Sequence, residues 1–125
     1  MKYLCLIYDD EKNLDVLSES EWNGVVGECL AANEELRRSG HVLASEALQP
    51  VCTATTVRVR NGRLAATDGP FAETKEQLGG FYLIEARDLN DAIQVAARIP
   101  SARRGCVEVR PVWQLGQDEP RVSRL

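Results

Sequence analysis

Two short runs in the chain are apolar whichever way their side chains point. In residues 2–8 (Lys-Tyr-Leu-Cys-Leu-Ile-Tyr), Tyr3, Cys5 and Ile7 alternate with Leu4, Leu6 and Tyr8. In residues 81–84, Phe81 and Leu83 alternate with Tyr82 and Ile84. Successive side chains of a strand point to opposite faces, so a strand with two apolar parities needs cover on both. A chain of 125 residues has the length of one domain with one core. Its helices can cover one face of a sheet, and nothing else in it is large enough to cover the second. A second copy of the chain is the simplest cover, since two-fold dimers are the commonest assembly. A bare second face would expose more apolar surface than soluble monomers carry. A homodimer with sheets packed face to face is therefore expected.

The remaining elements follow from local signals. Ser18 and Glu21 have capping-box spacing, with Leu17 and Trp22 at the flanking staple positions. Trp22, Val25, Val26, Cys29, Leu30 and Leu36 recur at helical spacing, and Gly40 stops the helix. Residues 42–48 read as a second strand, ended by Pro50. Thr55–Arg60 and Arg63–Thr67 flank Asn61-Gly62, the strongest short hairpin signal. A two-residue loop sets Val59 opposite Leu64, Val57 opposite Ala66 and Arg60 opposite Arg63. Residues 74–77 are expected to form one helical turn, and residues 81–86 a strand. Asp88 caps a second helix whose inner face is Leu89, Ala92, Ile93, Ala96 and Ala97. After a loop over 101–105, residues 106–113 form the last strand. The order β-α-β-hairpin-β-α-β is the ferredoxin-like βαββαβ pattern with an inserted β-hairpin, an α+β class. The domain spans residues 1–115, and residues 116–125 read as a polar tail.

Composition narrows the function classes. The net charge of −4 disfavours nucleic acid as a partner, because phosphate recognition needs a basic face. Cys5, Cys29, Cys52 and Cys106 are scattered without a C-x-x-C pair or neighbouring histidines, so no structural metal is expected; no cofactor is expected either. The apolar start is too short for a signal peptide or a membrane span, and no later stretch reaches spanning length. A cytoplasmic location without membrane attachment is the expectation. No glycine-rich nucleotide loop and no Gly-x-Ser-x-Gly elbow occurs, and no serine has an evident histidine partner.

Residues 68–80 (Asp-Gly-Pro-Phe-Ala-Glu-Thr-Lys-Glu-Gln-Leu-Gly-Gly) resemble the signature of YCII-related proteins of the DGPF type. Leu48-Gln49-Pro50, Thr55-Thr56-Val57-Arg58 and Val107-Glu108-Val109-Arg110-Pro111 match as well, so the similarity covers nearly all of residues 1–115. The resemblance implies a dimeric α/β-barrel of ferredoxin-like protomers. It also implies a link to pathways of extracytoplasmic-function sigma factors, beside whose genes some relatives lie. Another branch includes a dehydrochlorinase-type enzyme with a His–Asp pair, its histidine on the first helix. The first helix here has no histidine, and the single histidine, His41, follows Gly40. That dyad does not carry over, and His41 reads as a polar strand-entry residue.

Two functions compete. The first is a small-molecule binder with cofactor-free acid–base chemistry of lyase or isomerase type. Asp68 would serve as general base or ligand-orienting carboxylate, Lys75 would hold an anionic group, and Glu46, Glu73 or Glu76 would modulate protonation. Gly69 and Pro70 would fix the loop, Phe71 would anchor it, and Arg58 would add a binding contact. On the competing account of the motif, Asp68 merely locks a turn by accepting from backbone N–H groups. The second function is a non-catalytic regulatory or interaction protein tied to a sigma-factor pathway. A pocket with Asp68 and Lys75 turned into it favours the first; a dry core with an exposed, arginine-bearing hairpin favours the second.

Overall fold

The computed structural model of the chain describes residues 1–116 and 121–124. Its elements are β1 (Lys2–Asp9), α1 (Glu11–Asp15), α2 (Glu19–Arg38), β2 (Val42–Ala47), β3 (Thr55–Arg60), β4 (Arg63–Asp68), β5 (Gln77–Glu85), α3 (Leu89–Ala97) and β6 (Cys106–Pro111). Four strands form one antiparallel sheet in the order β2-β5-β1-β6. This is the ferredoxin-like α+β topology. The β3–β4 ribbon, a separate two-stranded sheet, is inserted between β2 and β5.

Local chemistry accounts for the ends of these elements. Ser18 Oγ accepts from the Glu21 N–H at 3.1 Å, and the Ser18 N–H donates to Glu21 Oε1 at 3.0 Å, a complete capping box. Those hydrogen bonds hold the Glu21 carboxyl below its usual range. Asp88 caps α3 by accepting from the Asp91 N–H at 2.8 Å. Asn61 and Gly62 both take positive φ, 53° and 72°, as a tight hairpin turn requires. The ribbon pairs Val59 with Leu64, Val57 with Ala66 and Arg60 with Arg63, the expected register.

The core lies on one side of the main sheet. Tyr3, Cys5, Tyr82 and Ile84 pack against Leu36 of α2, against Ala92, Val95 and Ala96 of α3, and against Ile99. The opposite parity (Leu4, Leu6, Tyr8, Phe81 and Leu83) is only part-covered. Its members stack across the strands, Leu4 with Leu83 and Leu6 with Phe81. The two-sided apolar pattern has thus produced one buried face and one half-open face.

Several boundaries differ from expectation. β5 starts at Gln77 rather than Phe81, so residues 74–77 form no helical turn. Gly79 sits at the register shift between Ile7↔Gly80 and Tyr8↔Leu78, a bulge that lets the glycine pair continue the strand. The buried stripe of α3 is Ala92, Val95 and Ala96, while Leu89 and Ile93 are exposed. Val95 lies between Ala92 and Ile99 on the sheet-facing line, and the bulkier pair flanks it. Pro100–Arg103 forms a 3₁₀ turn where a loop was expected, and β6 ends at Pro111 instead of Trp113. α1 had no sequence signal beyond Asp10, whose side chain caps it. Residues 117–120 and 125 of the expected tail lie outside the described residues. The Arg124 guanidinium stands 5.7 Å over the Trp113 ring. No described helix is long and apolar enough to cross a membrane. Among the described residues no group of metal-ligating side chains could hold an ion, and all four cysteines are free thiols.

Candidate functional site

Only one residue of α2, Leu36 near its C-terminal end, is fully buried. The apolar stripe of its N-terminal half does not reach the sheet: Val25, Val26 and Cys29 are half-buried, and Trp22 and Leu30 are exposed. Beneath that half the sheet offers mostly small residues, namely Ser45 and Ala47 on β2 with Gly79 and Gly80 on β5. At Gly80 a Cβ would stand 2.8 Å from the Glu46 carbonyl oxygen, so the close approach of the two strands demands glycine there. A long amphipathic helix over a floor of mostly small side chains leaves a gap. The gap is an apolar groove of about 970 Å³, walled also by Ile7, Leu14, Leu17, Tyr82, Ile99 and Pro100. Its volume suits a small organic molecule, for which ligand pockets run to roughly 300–1,000 Å³.

A few polar groups converge on this groove. Asp9 ends β1, and its Oδ2 accepts from the hydroxyl of the buried Ser101 at 2.7 Å. Arg104, one turn on from Ser101, brings Nε to 3.9 Å from Asp9 Oδ1 and Nη1 to 3.6 Å from Glu28 Oε2. Its Nη2 lies 4.0 Å from Cys29 Sγ. Arg103 takes the closer contact with Glu28. Arg104 thus lines the groove held by three long contacts. Tyr82, on the floor, makes no side-chain hydrogen bond with another described residue, and burial pushes its phenol up, with the Cys29 thiol adding to the rise. The neutral phenol is a donor available to an occupant. Asn33 Oδ1 accepts from Ser45 Oγ at 3.1 Å. At the far end Glu11 links two segments: its N–H donates to Gln77 Oε1 at 2.9 Å, and its Oε1 accepts from the Val51 N–H at 2.9 Å. Chemically, the groove offers an oriented carboxylate (Asp9), a cation (Arg104) and a neutral hydroxyl donor (Tyr82) against apolar walls.

Of the carboxylates and cations singled out in the sequence, only Glu46 borders the groove, and it does so through its backbone: it pairs with Phe81, so its side chain stands on the opposite sheet face, while Asp68 and Lys75 do not line the groove at all. Asp68 ends β4, exposed, and its carboxylate makes no hydrogen bond or ion pair with another described residue. The turn after it is held by backbone and threonine instead. The Gly69 N–H, at φ 100°, donates to the Ala54 carbonyl at 2.8 Å, and Thr56 Oγ1 donates to the Gly69 carbonyl at 2.8 Å. Pro70, Phe71, Glu73 and Lys75 follow along the surface, and Arg58 is exposed on the ribbon. Glu76 is half-buried and lies 3.6 Å from Cys106 Sγ; burial first, then this carboxylate, raises the Cys106 thiol. Asp9, Ser101 and Arg104 escaped the sequence reading because Asp9 and Ser101 stand 92 positions apart. Residues 101–105, read as a loop, gave no period to place Ser101.

One serine does have a histidine partner, contrary to expectation. Ser39 Oγ lies 2.8 Å from His41 Nδ1, and His41 Nε2 lies 3.5 Å from Asp91 Oδ1. Ser39 donates its proton to the Leu36 carbonyl at 2.6 Å, so its lone pair, not its proton, faces the ring. That geometry fits a clamp between the end of α2 and the start of α3, not an activated nucleophile. The Arg87 backbone N–H, bonded at 3.0 Å, holds the Asp91 carboxyl below its usual range.

Fold and groove together define a ferredoxin-like α+β domain with an open cleft between helix and sheet and a ribbon inserted before β5. The family model described as YCII-related domain matches residues 1–116. An uncharacterized protein of Rhizobium meliloti (strain 1021) is 37% identical over 114 residues, 90% of this chain and 92% of that protein. The chain belongs to the YCII-related family.

Proposed function

We propose that the chain binds a small organic molecule with an apolar body in the groove beneath α2. The observation that carries this is the groove itself, about 970 Å³ of mostly apolar space where an amphipathic helix and a sheet would otherwise close a core. Leaving such walls uncovered forgoes roughly 25 cal/mol for each Å² of apolar surface, and an occupant restores that cover. Asp9, fixed by Ser101, is the proton acceptor of a cofactor-free reaction of lyase or isomerase type, with Arg104 orienting a polar group of the ligand. Asp68 and Lys75 act on the ligand when a second copy brings them to the groove. The working form is a homodimer joined through the half-open sheet face.

A metabolite-library thermal-shift screen of the wild type and of Val26→Trp, which narrows the groove, tests the binding. Compounds that raise the Tm of the wild type and not of the variant support it. A screen in which no compound shifts the wild type sinks it. The second reading, an interaction protein in a sigma-factor pathway, is favoured by one observation, the exposed ribbon bearing Arg58, Arg60 and Arg63.

A further inference from the structure

The β3–β4 ribbon has no counterpart in the body of its own protomer. Beyond its own pairing it has no substantial packing against any other element, and a lone two-stranded ribbon is marginal in water. One of its faces carries Val57, Val59 and Leu64, which are 59%, 59% and 73% exposed, and Phe71 at its base is 82% exposed. The other face carries Arg58, Arg60 and Arg63. None of the three arginines forms an ion pair with a described residue.

The groove mouth is the complement of that ribbon. Trp22 and Leu30 stand 46% and 64% exposed there. The lining carboxylates Asp15 and Glu19 lie toward the Trp22 end of that mouth, with no ion pair among the described residues. An acidic, apolar mouth and a basic, apolar ribbon thus belong to one chain that does not join them within a single copy. The ribbon also leaves the body next to the groove, since Pro50 and Gln77 on its two connections line it.

We infer that the ribbon is an exchanged arm: in the assembled protein it lies across the groove mouth of a second copy. Its apolar face covers Trp22 and Leu30 of that copy, and Arg60 and Arg63, on the opposite face beside the tip, bend round the ribbon edge toward the carboxylates of Asp15 and Glu19. Two arms and two grooves related by a two-fold axis close the assembly without leaving an edge to propagate. The site is then composite. The loop at the base of the arm, with Asp68 and Phe71, arrives at a groove that its own protomer leaves open. Opposite charge on arm and mouth steers the encounter, so assembly is faster at low salt. The inference stands on arm and groove alone, and a metabolite screen without hits leaves it in place.

A double variant, Leu30→Cys with Leu64→Cys, tests it in a background where Cys29, Cys52 and Cys106 are changed to Ser. Both introduced thiols sit at exposed positions, so folding is not at stake. On mild oxidation at tens of micromolar protein, the expected product is a covalent dimer in which peptide mapping joins the two introduced positions across chains. Arg60→Glu with Arg63→Glu slows its formation several-fold at low ionic strength. A disulfide within one chain, a dimer joined only through like positions, or no covalent dimer at all overturns the exchange.

Discussion

Changing Leu6 to Ala tests the proposed homodimer through the half-open sheet face. Leu6 stacks on Phe81 of β5 and Glu108 of β6 and is only half-covered in the protomer. Fully burying a leucine is worth about 1.5–3 kcal/mol, so the half left for the proposed dimer contributes about 0.8–1.5 kcal/mol per copy. Two-fold symmetry applies the change twice, about 1.5–3 kcal/mol per dimer. At 1.4 kcal/mol per tenfold, the dimer Kd rises ~10- to 150-fold. Sedimentation velocity over a dilution series reads this directly. Leu89→Ala, on an exposed position of α3, is the control and leaves the Kd within a factor of about three. A Leu6→Ala protein whose Kd matches the control refutes the argument from two apolar parities.

Other outcomes follow from single residues. Gly105→Ala would place a Cβ 2.0 Å from the Tyr8 carbonyl oxygen; backbone cannot yield cheaply there, so thermal melting should fall by several degrees or more, at a cost of about 1–3 kcal/mol or above. The Asp91 carboxyl titrates below its unfolded value, so its contribution to stability is present at neutral pH and is lost as pH falls through the folded value. Denaturant titrations of the wild type against Asp91→Asn between pH 6 and pH 2.5 should converge at the acid end. Burial pushes the Cys5 thiol up to about 11. Its contribution is therefore full below its unfolded value near 9 and declines as pH rises toward the folded one. In a thiol-reagent assay at pH 8 the exposed Cys52 reacts first, and Cys5 reacts only on unfolding.

The sheet and the hairpin were legible because their signals are local. Alternating apolar residues in β1 and β5 set the strands, Ser18 and Glu21 set the start of α2, and Asn61-Gly62 set the ribbon register. The groove was not legible, because the stripe on α2 reads the same whether it meets a core or a void. What opens the void is the small floor of Ser45, Ala47, Gly79 and Gly80, which comes from two strands and shares no period with the helix. Asp9, Ser101 and Arg104 converge only through the tertiary fold. The motif around Asp68 was conspicuous in sequence, yet within one protomer its turn is held by Gly69 and Thr56, and its carboxylate stands clear of the groove.

Titration calorimetry of the strongest compound from the thermal-shift screen, at several temperatures, weighs the groove most directly. The account predicts one site per protomer and a negative heat-capacity change from apolar burial. It also predicts binding weakened at least tenfold by Val26→Trp. Undiminished binding to Val26→Trp, or a heat-capacity change near zero, would contradict it.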